Sequence, residues 1–159
     1  MPVLNDNPFA ILTAVVAPAI LTNACSVLCL GTGNRIARVV DRTRILTNEL
    51  ASLQPGSPNQ QARVRQLEKL QVRARFLLSA LRLFYASLGS FAAAALVSVI
   101  GSALTLSDWR FIFQATAVAG LAIGAMGVAG LVSGCTLMVR ETRLAVQTLA
   151  EEAGLSRTR

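Results

Sequence analysis

FIFQATAVAGLAIGAMGVAGLVSGCTLMV, residues Phe111 to Val139, runs for 29 residues without one charged side chain. A helix needs about 20 apolar residues to cross a hydrocarbon core of roughly 30 Å. This stretch exceeds that length. Two more follow the same rule: Asn7 to Asn34 holds 28 residues without a charge, and Leu83 to Ser107 holds 25. In hydrocarbon no water satisfies the peptide groups, so each run must bond to itself as a helix. The stretches therefore predict an all-α membrane protein with three transmembrane helices. Span one covers about 8–31, span two about 83–106 and span three about 111–139.

Composition supports the reading. Hydrophobic residues make up 53% of the chain and charged residues 14%, against roughly 25% charged in a soluble domain. The mean hydropathy is +0.56. The first run does not read as a signal peptide, because its flank lacks basic residues and contains Asp6. It is expected to be a retained span.

Basic residues set the expected orientation. Ten of the 15 Lys and Arg lie between Arg35 and Arg82, and four more are Arg140, Arg143, Arg157 and Arg159. Only Arg110 falls between spans two and three. Cytoplasmic loops collect Lys and Arg, so the N-terminus is expected outside and the C-terminus in the cytoplasm. Trp109, Phe111 and Phe113 suit the outer interface, and Phe84 and Tyr85 the inner one. The net charge of +7 follows from this topology and not from nucleic acid, for which no motif is present. The expected partners are the bilayer and its anionic lipid headgroups.

Between the first two spans the helical period continues. Ile36, Val39, Thr43, Leu46, Leu50 and Leu53 are spaced by three and four, the row of a coiled coil. Gln54-Pro55-Gly56-Ser57-Pro58-Asn59 breaks the helix. A second row returns through Leu67, Leu70, Ala74, Leu77, Leu81 and Phe84. The pattern predicts an antiparallel cytoplasmic helical hairpin over about 35–82. After span three, Val139, Thr142, Val146, Leu149 and Ala153 form a third row. It predicts a C-terminal cytoplasmic helix over about 140–154 that stops at Gly154.

Pro18 in span one, Asn34-Arg35 at its inner end, Arg42 and Arg44, and then Arg65-Gln66-Leu67 with Arg73, Leu81 and Arg82 form a pattern over roughly residues 8 to 140. In it the chain resembles the bacterial membrane family known as domain of unknown function 2721. The resemblance implies a multi-pass protein of the bacterial cytoplasmic (inner) membrane and brings no activity with it.

The residues argue against an enzyme. Histidine is absent, and with it the commonest general base and metal ligand. None of the eight carboxylates lies deep in an expected span, and no phosphate loop or dinucleotide fingerprint is present. Cys25, Cys29 and Cys135 read as small packing residues, so neither metal nor cofactor is expected. Span one is the most polar. Thr22 and Ser26 share a face, Asn23 is adjacent, and Arg35 and Arg38 stand beyond the inner end. In a ring of subunits these five residues would line a pore with an anion-favouring mouth. Small residues mark spans two and three: Ser87, Ser98 and Gly101 on one, Gly120, Gly124, Gly127, Gly130 and Gly134 on the other. Glycine at such spacing lets helices approach closely. The expectation is a non-enzymatic homo-oligomer that forms an ion-conducting channel. The alternative is an accessory or scaffold subunit that docks a cytoplasmic partner through the hairpin.

Overall fold

The structure is a computed structural model, and it describes residues 8–54, 56–104 and 110–157, with side chains over 16–54, 56–101 and 114–147. The side chains of Phe111 and Phe113 lie outside the described ones, and Trp109, the turn residue Pro55 and the end of span two at 105–106 lie outside the described residues. The described backbone forms three long helices: α1 (Pro8–Ala51), α2 (Pro58–Leu104) and α3 (Arg110–Arg157). Each contains a segment long and apolar enough to cross a membrane, the mark of a multi-pass membrane protein. In the most apolar stretch of α3 only 6% is buried within the chain. That exposure suits lipid and not water.

Each expected span is the end of a longer rod. The helical period that leaves span one continues unbroken to Ala51, and the period that enters span two begins at Pro58. Pro18 lies inside α1. The turn between α1 and α2 is stopped by local chemistry. Gly56 adopts φ +82°, a region open to glycine at no steric cost. Ser57 caps α2, its Oγ accepting from the Gln60 amide at 3.2 Å, while Gln60 Oε1 accepts from the Gly56 amide at 2.7 Å. Pro58 then takes the first helical position, where its missing N–H loses nothing. At the other end α3 runs through Gly154 to Arg157, so that glycine does not stop the helix as its sequence suggested.

The chain divides into two compact units, Met1–Cys29 with Leu83–Val132, and Leu30–Arg82 with Ser133–Arg159. In the first unit α2 and α3 pack closely in antiparallel order. A β-carbon at Gly127 would stand 2.7 Å from Phe91 Cε1 and 3.1 Å from Ser90 Cβ. One at Gly130 would stand 2.6 Å from Ser87 Oγ, and one at Gly101 would stand 3.1 Å from Thr116 Oγ1. Gly120 faces Val97 and Ser98, and Gly124 faces Ala94. The glycines thus meet a neighbour in the same chain. Ser87, Phe91 and Ala94 are buried on the facing side of α2.

In the second unit Val39, Leu46, Leu70 and Leu77 form one buried cluster, with Ile36, Leu67, Ala74 and Met138 packed against it. The α3 face that turns inward differs from the expected row. Val139 and Val146 are 52% and 60% exposed, whereas Glu141 is only 2% exposed. Met138, Leu144 and Ala145 are half-buried beside it, and Thr142 is exposed. The apolar row through Val139, Thr142 and Val146 is therefore corrected by a rotation that turns the carboxylate inward. Leu149 and Ala153 of that row lie outside the described side chains.

Candidate functional site: a buried carboxylate under an arginine groove

The α3 rotation has an electrostatic cause. Glu141 is the first acid after span three, between Arg140 and Arg143. A buried carboxylate is expensive unless charged and hydrogen-bonded partners surround it. Two arginines meet that need. Arg73 of α2 donates from Nε at 2.9 Å and from Nη2 at 2.8 Å to Glu141 Oε1. Arg35 of α1 donates from Nη1 to Oε2 at 3.4 Å and to Thr142 Oγ1 at 3.1 Å. Both carboxylate oxygens are engaged, so one side chain ties together all three helices of this unit. Arg73 is 27% exposed and Arg35 44%, so Arg73 is the drier and closer partner. One turn back along α1, Thr32 is fully buried, and its hydroxyl lies 3.7 Å from Met138 Sδ.

Above this clasp lies an open groove of about 420 Å³, lined by Arg35, Arg38, Val39, Arg42, Leu70, Arg73, Glu141, Thr142 and Ala145. Arg38 and Arg42 have no ion-pair partner among the described residues. Four guanidinium groups face one carboxylate, which leaves a formal surplus of three positive charges.

A model of the family described as Protein of unknown function (DUF2721) matches residues 15–151. The chain belongs to the DUF2721 family. The match includes every residue on which the resemblance was read, and the whole arginine clasp besides. No curated protein and no solved structure matches this DUF2721 chain.

The residues expected to line a pore fall in both units. Ser26 donates its hydroxyl to the Thr22 carbonyl at 3.0 Å, so that polarity is satisfied by its own helix. Thr22 is half-buried, and Asn23 is exposed. Arg35 is taken up by Glu141, and Arg38 lines the groove. Among the small residues, Gly101 and Gly134 are buried, and the Ser87 and Ser98 hydroxyls donate to the Leu83 and Ala94 carbonyls. Cys25, Cys29 and Cys135 form no disulfide, and no group of three His, Cys, Asp or Glu is gathered among the described residues.

Glu141 is the functional-site residue that sequence reasoning missed. The signal was present. Gly134, Met138, Glu141 and Ala145 are spaced by four, three and four, a row that competes with the valine row. Apolar periodicity chose the valines; the paired arginines chose the acid.

Proposed function

We propose that this DUF2721 chain is a non-enzymatic protein of the bacterial cytoplasmic membrane, N-terminus outside and C-terminus inside, that works as a homo-oligomer. The observation that carries the reading is Asn23. It is exposed on α1, and its amide has no hydrogen-bond partner among the described residues. It stands 12 residues before Arg35, about 18 Å along a helix axis, near the middle of a roughly 30 Å core. An amide there needs a partner, and a second copy of α1 supplies one through symmetry. Gly120, Gly124, Gly127 and Gly130 of α3 meet α2 within the subunit, so Asn23 replaces them as the basis for self-association.

A ring built on α1 would turn Thr22, Asn23 and Ser26 toward a shared axis, and conduction of anions is the activity such a ring supports. Asn23→Leu is expected to convert the oligomer in mild detergent to monomer, read by cross-linking and light scattering. Wild-type protein that is already monomeric, or a variant that stays assembled, defeats the reading. Chloride efflux from liposomes then tests the channel itself.

A second reading, the scaffold, is favoured by the exposed apolar side chains of the second unit. Val40, Ile45, Val64 and Val72 are each 40–49% exposed. Absence of efflux from an assembled oligomer would leave this reading in place of the channel.

A further inference from the structure

We propose that the groove over Glu141 is a binding site for a phosphate group, carried by an anionic lipid headgroup or by a soluble phosphate. Arg35, Arg38 and Arg42 are spaced by three and four along α1, and Arg73 joins them from α2. Such spacing stacks the side chains on one helix face, where like charges repel each other. Protein charge relieves only part of that repulsion. Glu141 holds Arg73 and Arg35, while Arg38 and Arg42 meet no acid among the described residues. The clasp therefore has a structural consequence for a ligand. It fixes two guanidinium groups in place and leaves the free pair beside them.

Guanidinium forks match phosphate oxygens in pairs, and fixed forks lose little freedom on binding. At about 420 Å³ the groove holds a group of this size, and its open side admits one still attached to a lipid. Arg35 is the first charge after the uncharged run that ends at Asn34. That puts the groove at headgroup depth for any membrane placement of span one, with either orientation. Basic pockets between helices at this depth suit lipid phosphates.

The test uses the full chain in detergent, titrated separately with phosphatidylglycerol, phosphatidylcholine and inorganic phosphate and read by native mass spectrometry. Wild type is expected to prefer phosphatidylglycerol to phosphatidylcholine. Arg38→Gln with Arg42→Gln is expected to weaken binding of the anionic lipid about 30-fold, at about five- to sixfold per arginine. Arg65→Gln with Arg75→Gln removes the same charge from exposed positions outside the groove. It is expected to weaken binding less than about threefold. Arg38→Lys with Arg42→Lys keeps the charge without the fork and should fall between the two. Melting temperature reports whether each variant folds. Lipid retained against inorganic phosphate identifies a headgroup as the occupant; inorganic phosphate that binds and displaces lipid identifies a soluble phosphate. Either result supports the site. Equal binding of both lipids with no uptake of inorganic phosphate overturns it, as does an equal loss in the two glutamine pairs. The site does not require self-association, so Asn23→Leu should leave this binding unchanged.

Discussion

The two units of the chain hold their helices together with opposite chemistries. In Met1–Cys29 with Leu83–Val132, α2 and α3 touch through the absence of side chains. Gly127 lies against the Phe91 ring, and Gly130 against Ser87. Lipid is as apolar as the side chains, so burial of apolar area gives little drive there, and close dispersion contact must supply it. Leu30–Arg82 with Ser133–Arg159 instead holds most of the charged residues of the chain. The leucine cluster around Leu46 and Leu77 gains from burial in the ordinary way. A carboxylate then fixes which face of α3 turns in. The contrast teaches that one continuous helix can follow two packing rules, each suited to the residues it carries.

Removal of Arg73 should produce the largest effect. Arg73→Ala leaves the 2%-exposed Glu141 with only the longer Arg35 contact, and a buried charge without its main partner costs about 3 kcal/mol. Arg35→Ala should cost about 1 kcal/mol, because that side chain is 44% exposed. The thermal midpoint in detergent reads both; equal drops would mean that Glu141 reaches water and that the clasp is not dry. Next comes the glycine contact. Gly127→Leu should cost about 2 kcal/mol by overpacking against Phe91, which is 2% exposed and has little room to move. Gly89→Leu, with nothing within 4 Å of its β-carbon position, should leave the midpoint nearly unchanged. A similar loss at both sites would remove the close-contact half of the comparison.

The smallest effect belongs to the turn end of the second unit. Glu49 Oε2 lies 3.2 Å from Arg63 Nη2, with the two side chains 40% and 37% exposed. A double-mutant cycle should give about 0.5 kcal/mol or less, and salt should reduce it. A coupling as large as that of Arg73 with Glu141 would show that burial does not set the strength of these pairs.

Much of the architecture was legible because its causes are local. Uninterrupted apolar runs are visible one residue at a time, and so are the rows Ile36–Val39–Leu46 and Leu67–Leu70–Leu77, whose members are buried or half-buried. The cap formed by Ser57 and Gln60 follows from neighbours in sequence. The site was not legible in that way. Arg35, Arg73 and Glu141 are separated by 68 and 106 positions where they pair. The sequence offers many arginines with equal claim to a lone acid. The phase of α3 was misread for the same reason, since its valine row is locally the stronger pattern.

By itself the sequence determined that three charge-free stretches must be helices, because a peptide group in hydrocarbon has no partner except its own chain. It determined too where the chain turns, through Gly56 and Pro58. Only the tertiary structure decided that the α3 glycines meet α2 within one subunit and that Glu141 turns inward under Arg35 and Arg73. Those choices depend on which distant groups arrive together, and a buried charge accepts only the arrangement that surrounds it with opposite charge.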